Sequence, residues 1–326
     1  MGLKSDLKIA VTFNEIILRD SPDIKEVKET AEIIANILDK DYKVEIIPLG
    51  KDILSFIENL KKSSPSAIFN LCEAFADKSI GEMLVASLYE LLEIPYTGSS
   101  PLTIGICLNK ILTKKLLISH DLPTPPWFLK SEIDKIDEKM FPLIVKPVSE
   151  DGSFGIFREN IIFERKDLHK KLEKISDRIK VPIFLEKYIE GRELNVSFLG
   201  DEIICIGEIE FKIYPRILTY DGKWRENSED DLGTIPRYPA DLKEEEKERI
   251  IKIAKETFKI FGLRDYARID MRMDENGKLY IIDVNPNPDL SPDAGFSRAL
   301  KVKGINYEDG IKRILKFALE RGNIFA

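Results

Sequence analysis

Residues 268–299 read RIDMRMDENGKLYIIDVNPNPDLSPDAGFSRA. Apolar and polar residues alternate on both sides of Glu275-Asn276-Gly277-Lys278, which predicts two antiparallel strands joined by a tight turn. Such a hairpin sets Asp270, on its first strand, beside Asp283 and Asn285 at the end of its second. Two carboxylates and an amide oxygen are hard ligands suited to Mg²⁺, which seldom binds without phosphate oxygens as co-ligands. The stretch therefore points to a nucleotide as well as a metal. Its bland alternative is a solvated hairpin whose acids face water.

Working outward, residues 1–98 alternate strand and helix. Apolar runs at 7–13, 43–49 and 67–71 are separated by helical spacing at 24–38 and 53–60, and a helix at 82–92 follows. Elements of this length and order predict a parallel sheet covered by helices. A second unit, 99–185, holds a lysine-rich helix at 109–120, the break LPTPPWF, a strand at 142–146, the loop SEDGSFG, the strand ENIIFE and a charged helix at 167–178. A third, 186–326, reads as further strands, a long polar loop at 214–239, a helix at 242–261, the hairpin and a C-terminal helix.

Composition narrows the classes. A chain of 326 residues with 43% apolar content has ample core for two or three units. No stretch is apolar enough to span a membrane, and MGLKSDLKIAVTF enters a strand without the sections of a signal peptide. Cys72, Cys107 and Cys205 lie far apart without a CxxC pair, which predicts reduced, mostly buried thiols in a cytoplasmic protein and no zinc site. A net charge of −7 spread along the chain disfavours a nucleic-acid partner. With His120 and His169 as the only histidines, the chemistry falls to carboxylates, Lys, Arg, backbone amides and metal. Abundant Lys and Glu with no Gln lean towards a thermophilic source, though codon bias produces the same lysine excess.

Two further segments carry chemistry. Lys146 ends the strand PLIVKP and leads into Ser149-Glu150-Asp151-Gly152-Ser153-Phe154-Gly155. A glycine–serine loop of this kind can aim backbone N–H groups and hydroxyls at phosphate oxygens, with the lysine adding fixed charge. Residues 184–189 read as an extended segment whose backbone could meet an adenine edge, while Glu193 could hold ribose hydroxyls. The plain reading is an inter-domain strand with charged turn residues.

Lys110, the VKP strand with its loop, EKYIEGRE, ARID and DVNPNP stand in the order found in ATP-grasp ligases. The chain resembles the D-alanine–D-alanine ligase group of that superfamily over nearly its whole length, with ELLEIPYTGSSPLTIGICLNKILTKKLL the most specific stretch. The resemblance implies a mixed α/β (α+β) three-domain ATP-grasp architecture with an N-terminal open parallel sheet. It implies ATP and two Mg²⁺ ions (Mn²⁺ as a substitute), small amino-acid or amine substrates, a role in peptidoglycan biosynthesis if the substrate is D-alanine, and a homodimer. Carried over by position, Lys110 and Lys146 match lysines on the ATP phosphates, and Ser153 a serine of the phosphate-covering loop. Glu186, Lys187, Tyr188 and Ile189 match the adenine-binding segment, and Glu193 the ribose-binding acid. Asp270, Asp283 and Asn285 match the metal ligands, Arg268 the arginine that stabilises charge at the reacting carboxyl, and Lys223 a lysine of the mobile covering loop.

The chain departs from that pattern mainly where an amino acid would bind. Asn14-Glu15-Ile16-Ile17 follows the first strand in place of a serine-and-glutamate element. Asn70-Leu71-Cys72-Glu73 replaces a histidine–glycine loop, and Trp224 stands where an aromatic hydroxyl is usual. Asp289-Leu290-Ser291-Pro292-Asp293 replaces the small residues expected after the metal asparagine. Two acids there would repel a carboxylate unless they hold a metal or a cationic substrate group. The expected activity is an ADP-forming carboxylate–amine ligase, with D-alanine joined to D-alanine as the first expectation. Another amino acid or amine is the second, and a non-catalytic ATP-binding sensor the third.

Overall fold

The computed structural model describes residues 5–15, 22–76, 78–150 and 152–322. Ile16 and Ile17 of the expected first-domain element, and Asp151 of the glycine–serine loop, lie outside them. The chain begins with β1 (Lys8–Asn14), α1 (Pro22–Leu38), β2 (Lys43–Leu49), α2 (Ile53–Ser63), β3 (Ala67–Leu71) and α3 (Gly81–Leu91). The strands form a parallel sheet in the order β2-β1-β3. Ile9, Ala10 and Val11 are all fully buried, because a parallel strand covered by helices on both faces has no solvent side. Ala10 and Ile68 pack with Phe56, Leu60, Val85 and Tyr89 from α2 and α3. Ile9, Val11 and Phe69 face the other way and share a core with Ala31, Ile34 and Leu38 of α1.

Next come α4 (Pro101–Leu108) and α5 (Lys110–Ser119). The sequence reading expected only the second. Ser100 caps α4 by accepting from the Thr103 amide, with Pro101 in the first turn. Asn109 ends α4 and caps α5, its side chain accepting from the Leu112 amide at 3.2 Å. That cap places Lys110 at the first position of a helix.

A four-stranded antiparallel sheet follows, built from β4 (Trp127–Leu129), β5 (Leu143–Pro147), β6 (Ile161–Ile162) and β7 (Ile183–Lys187) in the order β4-β7-β5-β6, with α6 (Leu168–Ile179) across it. Leu168, Leu172, Ile175 and Ile179 make the buried stripe of α6. The expected strand at 159–164 shrinks to two residues, since Arg158–Asn160 coils into a 3₁₀ turn. Buried Asn160 explains this: its amide donates to the Val145 and Gly155 carbonyls, both at 2.8 Å, and ties the glycine–serine loop back to β5. The strand β7 runs to Lys187.

The third sheet has the order β10-β9-β8-β11-β12 and is wholly antiparallel. It comprises β8 (Arg192–Leu199), β9 (Glu202–Phe211), then α7 (Tyr220–Trp224), α8 (Glu229–Leu232) and β10 (Thr234–Arg237) within the connection, α9 (Glu244–Phe261), β11 (Tyr266–Met273) and β12 (Leu279–Asn285). The expected polar loop at 214–239 is therefore folded. Thr219 and Ser228 cap its two short helices, and Ile217 anchors it in a small core with Ile144, Ile161 and Tyr188. Pieces of four or five residues leave no periodicity to read. Ile250, Ala254 and Phe261 of α9 pack in one core with Val196, Phe198, Ile269 and Met271. Two helices, α10 (Gly295–Val302) and α11 (Tyr307–Arg321), close the described chain, where the reading expected one. Ile311, Ile314 and Leu315 of α11 complete the core beneath Ile9, Val11 and Phe69.

Candidate active site

The hairpin forms as read, with one irregularity that matters. Met273 pairs Leu279, Arg272 pairs Tyr280 and Met271 pairs Ile281, but Asp270 pairs Asp283 and Arg268 pairs Asn285. Ile282 is the extra residue of a β-bulge. Without it Asp270 would oppose Ile282, and Asp283 would point to the other face, since side chains alternate with a period of two. The turn is closed by Asp274, whose carboxylate accepts from the Asn276 and Lys278 amides, with Gly277 at φ +75°.

Across the sheet, Asn195 of β8 opposes Asp270, so Asn195, Asp270 and Asp283 stand in one row. Asn195 donates to Asp270 Oδ1 at 2.7 Å. Arg268 holds both oxygens of Asp270, through Nε at 2.7 Å and Nη2 at 2.8 Å, a bidentate pair. Lys110 Nζ lies 3.0 and 3.1 Å from the two oxygens of Asp283. Burial alone would raise the Asp283 carboxyl, but Lys110, Lys146 and Arg268 together outweigh it and hold the group below the usual range. Burial likewise works against the Arg268 charge, and Asp270 more than offsets it, so this guanidinium stays protonated.

These groups open onto a cavity of about 1060 Å³ between the four- and five-stranded sheets. Lys110, Lys146, Ser153, Glu186, Lys187, Tyr188, Ile189, Glu193, Lys223, Arg268, Asp270, Asp283 and Asn285 all line it. Residues from 110 to 285 in sequence thus meet at one surface, and none of those singled out is left elsewhere.

Two buried charge clusters that the sequence reading missed support this lining. Glu186, 1% exposed, has Lys114 Nζ at 3.0 Å and Lys146 Nζ at 3.4 Å from the same oxygen, held by charge more than by aligned hydrogen bonds. Burial depresses the Lys114 ammonium, and Glu186 works in the opposite direction. Arg272 pairs Glu193 at 2.7 Å and also donates to the carbonyls of Ile189 and Arg216. Burial raises the Glu193 carboxyl against the pull of Arg272. Lys114 stands one helical turn after Lys110, and Arg272 continues the face of Arg268 and Asp270. Those spacings were the available signals.

The 214–239 segment closes the cavity. Lys223 faces inward, and burial, followed by the nearby Arg268, lowers its ammonium below an ordinary lysine. Trp224 Nε1 donates to the Gly152 carbonyl at 2.8 Å. Gly152 and Ser153 both have positive φ, +61° and +62°, which for serine is a strained setting. Tyr238, Asp289, Asp293, Gly295 and Arg298 also line the cavity. Burial pushes the Tyr238 hydroxyl up to about 12. Beside the parallel sheet, the Asn14 side-chain oxygen Oδ1 accepts from the Glu73 and Ala74 amides, at 2.7 and 3.0 Å, and fixes the turn after β3.

The donor set can be tested against a metal. Among the described residues no three of His, Cys, Asp or Glu gather as a ligand group. Asp270, Asp283 and Asn285 offer oxygens from three side chains, too few for a divalent ion held by the chain alone. A Mg²⁺ that brings phosphate oxygens and water fits them. The three cysteines are buried and outside any disulfide, with Cys72 raised by burial to about 12. No helix among the described residues is long and apolar enough to cross a membrane.

Comparison with known proteins extends the geometry. The chain is 28% identical over 305 residues to the uncharacterized protein y4sG of Sinorhizobium fredii, covering 89% of this chain and 87% of that one. It is 28% identical over 302 residues to D-alanine–D-alanine ligase of Carboxydothermus hydrogenoformans, covering 88% and 91%. The crystal structure of D-alanine–D-alanine ligase from Bacillus anthracis complexed with ATP superposes with a TM-score of 0.77 at 25% identity, over 96% of this chain and 98% of that one. Both antiparallel sheets and the parallel one thus share an architecture with an ATP-grasp ligase. The model of the family described as D-ala D-ala ligase C-terminus matches residues 119–316, more than half of the chain, and to that family the protein belongs.

Proposed function

We propose that the protein is an ADP-forming carboxylate–amine ligase that uses ATP to join two small amino acids, with D-alanine the leading substrate. The observation that carries this reading is the convergence on one cavity of cations for phosphate, an apolar and polar segment for a base, and a carboxylate row for a metal. On this reading residues 1–98, 99–185 and 186–326 are the three domains, and the nucleotide lies between the second and third.

The chemistry follows from the poor leaving ability of oxide from a carboxylate. Transfer of the γ-phosphoryl group of ATP to the carboxylate gives ADP and an acyl phosphate. Attack by an amine forms the C–N bond and expels phosphate. Lys110 and Lys146 neutralise phosphate charge at the cavity wall, and the Ser153 turn covers the phosphates. Glu186, Lys187, Tyr188 and Ile189 border the base, and Glu193 the ribose. Asp270, Asp283 and Asn285 would hold Mg²⁺, which when bound with the nucleotide supplies charge neutralisation on its phosphates. Arg268, kept charged by Asp270, stabilises the oxyanion of the tetrahedral intermediate. Lys223 closes over the phosphates with its segment and keeps water from the acyl phosphate.

A second reading of the acceptor is favoured by Asp289 and Asp293, which line the same cavity. Acids suit a cationic group better than a carboxylate, so another amino acid or an amine is the alternative acceptor. The deciding experiment measures phosphate release from Mg-ATP across D- and L-amino acids and diamines, with mass spectrometry of the products. D-Alanyl-D-alanine formed with D-alanine alone supports the leading substrate. A product from another pair keeps the ligase and replaces the substrate. ATP bound without turnover on any pair removes the ligase reading.

A further inference from the structure

Tyr238 has no part in the chemistry above, yet the fold makes room for it. Its backbone is fixed on both sides: Arg237 pairs with Glu208 at the end of β10, and the Ala240 amide donates to the Ile206 carbonyl at 2.8 Å. The ring lies against two glycines from distant segments. A Cβ on Gly207 of β9 would collide with the ring, and one on Gly295, at the start of α10, would sit 2.6 Å from the hydroxyl. Neither glycine has positive φ, so the ring and not the backbone calls for glycine there.

Tyr238 and Arg298 line the same cavity as Arg268. Of the two tyrosines on the lining, Tyr188 donates to the Arg216 carbonyl at 3.2 Å, while the Tyr238 hydroxyl has no hydrogen-bond partner among the described residues. Burial keeps that hydroxyl protonated, with Arg268 and Arg298 both in electrostatic reach and pulling the other way. Arg298 Nε donates to the Asp293 carbonyl at 2.9 Å, and its guanidinium forms no ion pair among the described residues. A protonated phenol and an unpaired guanidinium suit a carboxylate.

We propose that Tyr238 is a specificity-determining residue: with Arg298 it holds the carboxylate of the amine-supplying substrate, and its ring limits the side chain which that substrate carries. The proposal rests on the ligase reading. On that reading, an acceptor that is itself an amino acid brings a second carboxylate into the cavity. The reacting one lies with Arg268, so the one left for Tyr238 and Arg298 belongs to the amine supplier. The acceptor is then a small amino acid and not a simple amine, and Arg298 offsets Asp289 and Asp293 on the same lining.

The test sets the amine-supplying amino acid found in the substrate panel against its own carboxamide, which keeps the amine and loses the charge. With the donor saturating, the two products counted by mass spectrometry give the preference, about a hundredfold for the amino acid in the wild type. Tyr238→Phe keeps the ring and loses the donor, and Arg298→Gln loses the charge. Each should cut the preference about tenfold, the scale of one hydrogen bond to a charged group. Gly295→Ala should do the same with Tyr238 intact, because its methyl group displaces the hydroxyl. In Tyr238→Leu, or Tyr238→Met where the first does not fold, acceptors as large as leucine or phenylalanine should gain about tenfold on the small one, while Tyr238→Phe keeps the wild-type size preference.

A best acceptor without a carboxylate, or an unchanged preference in Tyr238→Phe and Arg298→Gln, overturns the carboxylate contact. An unchanged size preference in the folded variant without the ring overturns the steric part. Should the wild type ligate no pair, the ligase reading falls and equilibrium binding becomes the readout. In the presence of Mg-ADP, amino acids of the panel should then bind more tightly than their carboxamides to the wild type but not to Tyr238→Phe, and equal binding to the wild type overturns the contact by itself.

Discussion

The two walls of the cavity are made differently. On one, Asn195, Asp270 and Asp283 stand side by side on β8, β11 and β12, set by backbone ladders and a single bulge. Arg268 and Lys110 already occupy the two acids. On the other, Lys223 and Trp224 ride on a short helix held by caps, one backbone hydrogen bond and a few side chains. The backbone of the first wall is set once the sheet folds, so its charges are gathered in one place before phosphate arrives, and only their side-chain partners exchange. The second is held by fewer contacts outside any sheet ladder, the kind that open most readily, which suits the cover proposed above.

The sharpest way to break the contrast is to strike the rigid wall. Asp283→Ala should reduce ATP turnover by about a thousandfold or more, the scale on which phosphoryl transfer depends on compensated charge. Because Lys110 then loses its partner, the melting temperature should be followed in parallel, and Asp283→Asn should show the same loss of turnover with a smaller thermal effect. Wild-type turnover in either variant would remove Asp283 from the site. Arg268→Ala comes next: ligation should fall about a hundredfold while Mg-ATP binding holds, as for the loss of an oxyanion donor. Equal losses in binding and ligation would move Arg268 from the reacting carboxyl to the nucleotide.

The cover should give the smallest and most pH-dependent effect. Burial and Arg268 hold the Lys223 ammonium below an ordinary lysine. The unfolded chain therefore keeps this proton to higher pH than the folded one. Between the two values the residue's contribution to stability rises with pH, while the charge it offers to phosphate disappears. The alkaline fall of kcat/KM for ATP should begin below the usual lysine range. In Lys223→Arg, which keeps its charge, it should shift upward by more than the few-fold change in rate at neutral pH. A profile identical in the two proteins would mean that Lys223 does not set the limb.

What the sequence could show tracks the same division. The hairpin was legible because alternation and a turn are local signals, and the parallel sheet because its apolar runs are short and regularly spaced. The bulge at Ile282 was not legible: one unpaired residue leaves no mark in the pattern, though it decides which face Asp283 takes. Lys114 and Arg272 were overlooked since a buried cation is recognised by its partners, here Glu186 and Glu193, and those come from other strands. The folded pieces of 214–239 were missed because each is too short to repeat. The part of the cavity lined by Tyr238, Asp289 and Arg298 was the least readable, as these come from segments with no shared period.

The last helix has a consequence for how the chain is made. Ile311, Ile314 and Leu315 of α11 lie in the same core as Ile9, Val11 and Phe69 of the first sheet. A chain emerging from the ribosome N-terminus first has α1 to shield part of that apolar surface, while the rest of this core, from Leu199 to the last residues of α11, is synthesised later. At about 5–20 residues per second the wait is roughly ten to fifty seconds. During translation the opening sheet is thus an unfinished surface, open to chaperones and to neighbouring nascent chains, and a stop codon ahead of residue 307 would make that condition permanent.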